Sequence, residues 1–268
     1  MTTINKENNT NYQYIKVDIA SKVAVVTIDR PPVNPLNSAV FIELTAIFSE
    51  LEQDKNVHAI ILTGNGQKAF VAGADIHEMS SLNAAEMLEM NRVSGEAYNK
   101  IANLSKPVIA AINGVALGGG LELALACDLR IASERAKFAF PEVGLGIIPG
   151  GGGTQRLQKM VGQGIAKELL FFGEMFDAQR AIDLQIVNKV VPVEEVLSAA
   201  KEWALKLAEK PVIALRMLKL AVNEGANVDL TTGLALEMAS FSTAFATDDR
   251  IEGMAAFVEK RKPTFTGK

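Results

Sequence analysis

Cysteine and histidine are nearly missing from this chain, and that shortage closes off several chemistries at once. One cysteine, Cys127, among 268 residues cannot make an intrachain disulfide or a thiolate metal cluster. A lone thiol is compatible with a reducing compartment, and a cytoplasmic protein is expected. The two histidines, His58 and His77, do not fit HExxH spacing or a zinc site of two His and two Cys. They also leave little room for a Ser-His-Asp system. No GxSxG occurs, so the α/β-hydrolase elbow is absent. No uninterrupted apolar run reaches the roughly 18 residues of a membrane span. There is no basic run, and the net charge is −4. Neither nucleic acid nor a membrane is therefore an expected partner. The segment "MTTINKENNTN" lacks the apolar centre of a signal peptide, and residues 1–11 read as a flexible tail.

Glycine clusters invite a nucleotide-binding reading, which the spacing does not support. Gly118–Gly120 run into Leu121 and Glu122, not into GxGxxG after a strand. Gly150–Gly153 run into Thr154 and Gln155, without the lysine of a phosphate-binding loop.

What remains is an ordinary globular composition, 49% hydrophobic and 22% charged, in a chain long enough for a full core. Alternation around Ser21-Lys22 predicts a hairpin of Tyr14–Ile19 with Val23–Asp29. Asn37 or Ser38 caps a predicted helix to about Gln53, with Phe41, Leu44, Ile47, Phe48 and Leu51 on one face. "AIILTG" and "PVIAAI" read as buried strands, separated by a helix over about Ala84–Leu104. A turn at Asn113-Gly114 and a helix at Leu121 follow, then a strand, "LRIAS". This alternation predicts an α/β core over residues 12–192. After Pro192 the period is helical, so 193–268 reads as a separate layer or an oligomerisation element. Helices that merely cover the core's own face fit equally well. No strict internal repeat is present.

Candidate chemistry gathers around "GGGLELALACD". Glycines at a helix start let a ligand approach the backbone, and the free N–H groups there favour developing negative charge. Alone, they also fit a tight turn packing strand against helix. Glu122 sits in the same first turn, where the helix dipole offsets part of the cost of burying its charge. An ionised, poorly solvated carboxylate is a competent base. The same residue also fits a cap of its own helix or a pair with Arg130. Glu142 lies among Phe138, Phe140, Val143 and Leu145, surroundings that should raise its pKa and suit an acid. In "FVAGADIHEM", small residues around Gly73 fit either a ligand-bearing backbone, with the Ala74 N–H as a second oxyanion donor, or a packing turn.

These segments carry a resemblance. "AFVAGADIHEM", "KPVIAAINGVALGGGLELALACD", "FAFPEVGLGIIPGGGGTQRL" and "FATDDRIEGMAAFVEKRKPTF" are similar, in order and spacing, to blocks of the enoyl-CoA hydratase/isomerase (crotonase) family. The resemblance spans nearly the whole chain. It implies a crotonase-like spiral of ββα units with a C-terminal helical trimerisation region. It further implies a homohexamer built as a dimer of trimers, acyl-CoA thioester substrates, and no cofactor or metal beyond the CoA carried by the substrate. By the same resemblance, the N–H groups of Ala74 and Gly119 form the oxyanion hole, Glu122 activates water, and Glu142 protonates the α-carbon. Having both glutamates points to a hydratase acting on 2-trans-enoyl-CoA. The alternatives are a Δ3,Δ2-enoyl-CoA isomerase or another crotonase-type thioester-enolate enzyme, and a non-catalytic acyl-CoA- or RNA-binding member. Ala72, Gly73, Asp75, Ile76, His77 and Gly118 are the expected substrate-binding wall. His77 stands where related hydratases often have a lysine near the CoA phosphates. Asp75 and Asp128 are also expected to hold loops by hydrogen bonds. Lys260, Arg261 and Lys262 fit phosphate contacts across a subunit interface, or a solvated basic tail.

Overall fold

The structure is a computed structural model and describes residues 12–268; the tail expected over 1–11 lies outside the described residues. β1 (Ile15–Ala20) and β2 (Val23–Ile28) form the predicted hairpin, with Ala20 opposite Val23. α1 (Ser38–Gln53) begins where Asn37 accepts a hydrogen bond from the Val40 N–H at 3.0 Å. Such a cap satisfies an otherwise orphaned donor. The helix buries the predicted Phe41, Leu44, Ile47, Phe48 and Leu51, together with Val40.

Three strand–strand–helix units follow. The first contains β3 (Ala59–Gly64), β4 (Ala69–Val71), the short α2 (Ile76–Ser80) and α3 (Ala84–Ala102). The second contains β5 (Val108–Ile112), β6 (Val115–Leu117) and α4 (Gly119–Ala126). The third contains β7 (Leu129–Ser133), β8 (Lys137–Ala139), a 3₁₀ turn (Pro141–Leu145) and α5 (Gly153–Phe172). In each unit the first strand joins a six-stranded sheet, ordered β1-β2-β3-β5-β7-β10, and the second joins a four-stranded sheet, β4-β6-β8-β9. The chain completes these sheets with β9 (Phe176–Asp177), α6 (Ala178–Asp183) and β10 (Lys189–Val191). This regular winding leaves no strict repeat in the residues.

The Asn113-Gly114 turn is not a hairpin. Both edges of β5 are occupied by β3 and β7, so the chain crosses to the other sheet instead. Gly114 permits that crossing: a Cβ there would lie 2.4 Å from the Lys68 carbonyl carbon. The Asn113 side chain ties the turn down by donating to the Gly64 carbonyl at 2.9 Å.

β3 and β5 are buried along their whole length, as their unbroken apolar runs require of strands covered on both faces. Ile60 and Leu62 face the main core with α1, α3 and α4. Ala59 and Ile61 face the other way, onto α7 (Val196–Ala208), which presents Ala199, Ala200, Ala204 and Ala208. Small side chains let this helix lie close to the sheet. α8 (Val212–Gly225), α9 (Leu230–Phe245) and α10 (Asp248–Val258) complete the chain. Asp128 helps anchor them: it accepts from the Val108 N–H at 2.7 Å and from Lys219 of α8 at 2.8 Å.

Candidate active site

The glycine run before α4 is a junction of close contacts. Gly118 has φ +47°, the left-handed region that favours glycine, and its N–H donates to the Ala139 carbonyl at 2.9 Å. A Cβ on Gly120 would lie 2.1 Å from the Val71 carbonyl oxygen, so α4 packs directly on the end of β4. That contact brings the loop after β4 alongside the helix start, where a Cβ on Gly119 would lie 3.7 Å from the Ala74 nitrogen.

The loop itself is fixed by the Leu36 backbone. Leu36 N–H donates to Gly73 O at 2.9 Å, and Asp75 N–H donates to Leu36 O at 2.7 Å. Ala74 between them keeps its N–H unused. Gly119, the first residue of α4, has the orphan N–H of every helix start. Among the described residues neither N–H donates to a protein acceptor. Both groups open on the same cavity.

All eight residues of α4 are buried, Glu122 included. Its partners are distant in sequence: Oε1 accepts from the Gly151 N–H at 2.8 Å and the Gly153 N–H at 2.7 Å. Gly153 opens α5, so a second helix N-terminus, not only the dipole of α4, supports this carboxylate. Burial pushes the Glu122 pKa up; the Gly153 and Gly151 N–H groups and the Arg156 charge pull it back. The alternative pairing with Arg130 does not form. Arg130 instead donates to the carbonyls of Ile186, Cys127 and Ala124 at 2.6, 2.7 and 3.3 Å.

Glu142 sits in the 3₁₀ turn with a different environment. Its Oε1 lies against Gly118, where a Cβ would meet it at 2.6 Å. Its Oε2 is buried without a hydrogen-bond partner. Burial, helped by the Glu122 charge, raises its pKa to about 7. Burial raises both carboxyls, but only Glu122 has amides that favour its ionised form; Glu142 leaves one oxygen unpartnered.

A cavity of about 540 Å³ collects these groups. Ala72, Gly73, Ala74, Ile76, Gly118, Gly119, Glu122 and Glu142, all singled out in the sequence, lie on its wall. Asp75 and His77 do not. Asp75 caps α2 and binds Arg30 at 2.6 Å, which holds its carboxyl below the usual range; His77 is exposed. At the C-terminal end, Arg261 pairs with Glu252 and Glu259, and Lys262 pairs with Glu209.

Tyr98 was not apparent as a site residue. On the buried face of α3 it reads as core, yet its hydroxyl donates to Gly119 O at 3.0 Å and its ring packs against Gly151. Met79, Met87 and Met90 carry no local signal of a site either; with Leu145, Ile147 and Ile148 they line the apolar part of the cavity. Methionines at such a wall adapt to varied apolar ligands.

A spiral α/β fold with two buried carboxylates and two free backbone N–H groups on one cavity defines the class: an acid–base enzyme. The particular family follows from comparison. The sequence profile of the enoyl-CoA hydratase/isomerase family matches residues 18–268, and the chain belongs to that family. The short-chain-enoyl-CoA hydratase of Clostridium acetobutylicum is 48% identical, across 90% of this chain and 93% of its own. The crotonyl-CoA hydratase of Syntrophomonas wolfei is 45% identical, across 96% and 99%. The crystal structure of an enoyl-CoA hydratase from Bacillus anthracis superposes with a TM-score of 0.93 at 43% identity, covering 96% of this chain and all of that one. The fold is thus the crotonase-like spiral expected from the sequence. No described helix is long and apolar enough to cross a membrane.

Proposed function

We propose that this enzyme is a hydro-lyase that reversibly adds water across the double bond of a 2-trans-enoyl-CoA, giving the 3-hydroxyacyl-CoA. One observation carries the reading: two buried carboxyls, one held by two amides and one with an unpartnered oxygen, line the same cavity as two unused N–H groups. The Ala74 and Gly119 N–H groups receive the thioester oxygen as it gains enolate charge. Ionised Glu122 takes a proton from water while the water oxygen bonds to the β-carbon. Protonated Glu142 then delivers its proton to the α-carbon, and both additions occur on one face. Neither step calls for a cofactor or metal; CoA enters and leaves with the substrate.

The family relatives named for short-chain and crotonyl substrates support a short acyl group. Ala72, Gly73, Ile76 and Gly118 would form its wall near the thioester. The setting that fits is fatty-acid β-oxidation or related acyl-CoA metabolism, in the cytoplasm. Residues 12–192 form the catalytic core and 193–268 the helical region. Within the latter, α7 covers the large sheet, leaving α8–α10 for assembly. Leu230, Leu234, Met238, Phe241 and Phe245 make one exposed apolar stripe along α9. Such a stripe supports burial against another subunit; the homohexamer, a dimer of trimers, is the assembly that the family resemblance implies.

The test is loss of the enoyl-thioester absorbance of crotonyl-CoA. The parent enzyme should turn it over, and both Glu122→Gln and Glu142→Gln should fail to do so at comparable rate. Full activity in both variants would overturn the two-glutamate mechanism.

A further inference from the structure

Glu122 is held by the amides of Gly151 and Gly153, so whatever fixes those amides fixes the carboxylate. Arg156 approaches this loop from behind. Its NH1 donates to the Gly151 carbonyl at 2.7 Å, and its NH2 donates to Asn99 Oδ1 on α3 at 3.1 Å. Gly152 leaves room for the guanidinium: a Cβ there would lie 2.1 Å from NH1, and its φ is +105°. Each face of Gly151 is thus engaged, its N–H by Glu122 and its carbonyl by Arg156.

The placement is costly in isolation. Arg156 is the fourth residue of α5, where a cation opposes the helix dipole. It is also half-buried, and burial works against its charge. A residue serving only helix stability would not be an arginine here.

We propose that Arg156, anchored by Asn99, is a positioning residue that clamps the Gly150–Gly153 loop and so aims the two amides at Glu122. It touches no reacting atom; it acts through the loop and through its charge. The charged or titratable groups that act on Glu122 are Arg156 from α5, Glu142 from the 3₁₀ turn and Tyr98 from α3. Of these only Arg156 favours the ionised carboxylate. The proposal rests on Glu122 being the base, and Glu122→Gln tests that separately.

The experiment follows crotonyl-CoA hydration against pH for Arg156→Met, Arg156→Lys and Asn99→Ala, with circular dichroism as a folding control. Losing a charge-assisted clamp should lower kcat of Arg156→Met about 10- to 100-fold. KM should change less than kcat, since Arg156 itself does not line the cavity and the loop it clamps contributes only Gly150 and Gly151 to the wall. The acid limb of kcat should move to higher pH, because Glu122 loses the charge that favours its ionised form. Added guanidinium should restore part of the rate. Arg156→Lys keeps the charge but not the planar fork, so its acid limb should stay while kcat falls. Asn99 is exposed, and its alanine variant should fold and lose about two- to fivefold in kcat. A loss confined to KM, or an unmoved acid limb in Arg156→Met, would overturn the proposal. Should Arg156→Met not fold, parent-like kcat in both other variants would overturn it equally. If Glu122→Gln keeps full activity, the reading of the base fails instead.

Discussion

Replacing Glu142 by glutamine should destroy activity and yet stabilise the protein at alkaline pH. Folding raises this carboxyl from an ordinary 4.5 to about 7, mainly by burial. That difference is worth about 3 kcal/mol against the ionised form. The sign follows from proton binding. Between those two values the folded chain holds a proton that the unfolded chain has released, so stability falls as pH rises through the interval. Below it the parent keeps this contribution in full; above it the whole amount is gone. Glutamine does not titrate and keeps the volume. It still leaves a polar atom unpartnered, costing about 1–2 kcal/mol at every pH. The diagnostic quantity is therefore the change with pH, not the offset. From about pH 5 to about pH 8 the variant should gain roughly 2–3 kcal/mol relative to the parent. At roughly 2–4 °C per kcal/mol for a chain of this size, the thermal midpoint difference should widen by several degrees. Midpoints measured across that range, with the assembly state held constant, decide it. A difference that stays flat would show that Glu142 carries its charge without penalty, and the acid role would go with it. The same titration predicts that the hydration rate of the free enzyme declines above about 7, as Glu142 loses its proton.

Three further outcomes are expected. Glu122→Gln should lower kcat about 10²- to 10⁴-fold while its thermal midpoint stays close to the parent's, as stopped-flow and calorimetry can establish. Gly120→Ala should fail differently, because its Cβ would lie 2.1 Å from the backbone oxygen of Val71. Prising α4 from β4 should cost about 1–3 kcal/mol or more, read as a fallen midpoint and poor soluble yield. Met238→Glu with Phe241→Glu puts two charges in the exposed α9 stripe. Sedimentation velocity should then show smaller species than the parent, and an unchanged sedimentation coefficient would remove α9 from the assembly surface.

Much of this molecule is legible where a short window carries the cause. The β1–β2 hairpin follows from local alternation, and α1 from a cap and an apolar face. β3 and β5 follow from apolar runs. The three-residue strands β4, β6 and β8 are different. They are too short to show a period, and they exist because strands from other units lie beside them. Asn113-Gly114 reads as a turn, but only the neighbours of β5 decide that the chain crosses there to the other sheet. The candidate site divides the same way. The glycine run and the two glutamates announce themselves by being polar or backbone-exposing residues in apolar surroundings. Tyr98 and Arg156 do not: a tyrosine on a core face and an arginine in a helix are ordinary until their partners are known.

The amino-acid sequence by itself determined the elements with strong local patterns, the presence of two carboxyls in apolar segments, and the family. Each of these depends on residue type and near neighbours. Tertiary structure alone decided what the carboxyls meet. Glu122 finds its amides 29 and 31 residues away, at the start of another helix, while Glu142 finds none for one of its oxygens. Their protonation depends on that difference. It arises from distances between segments that no local pattern specifies, set by two sheets and the helices packed against them.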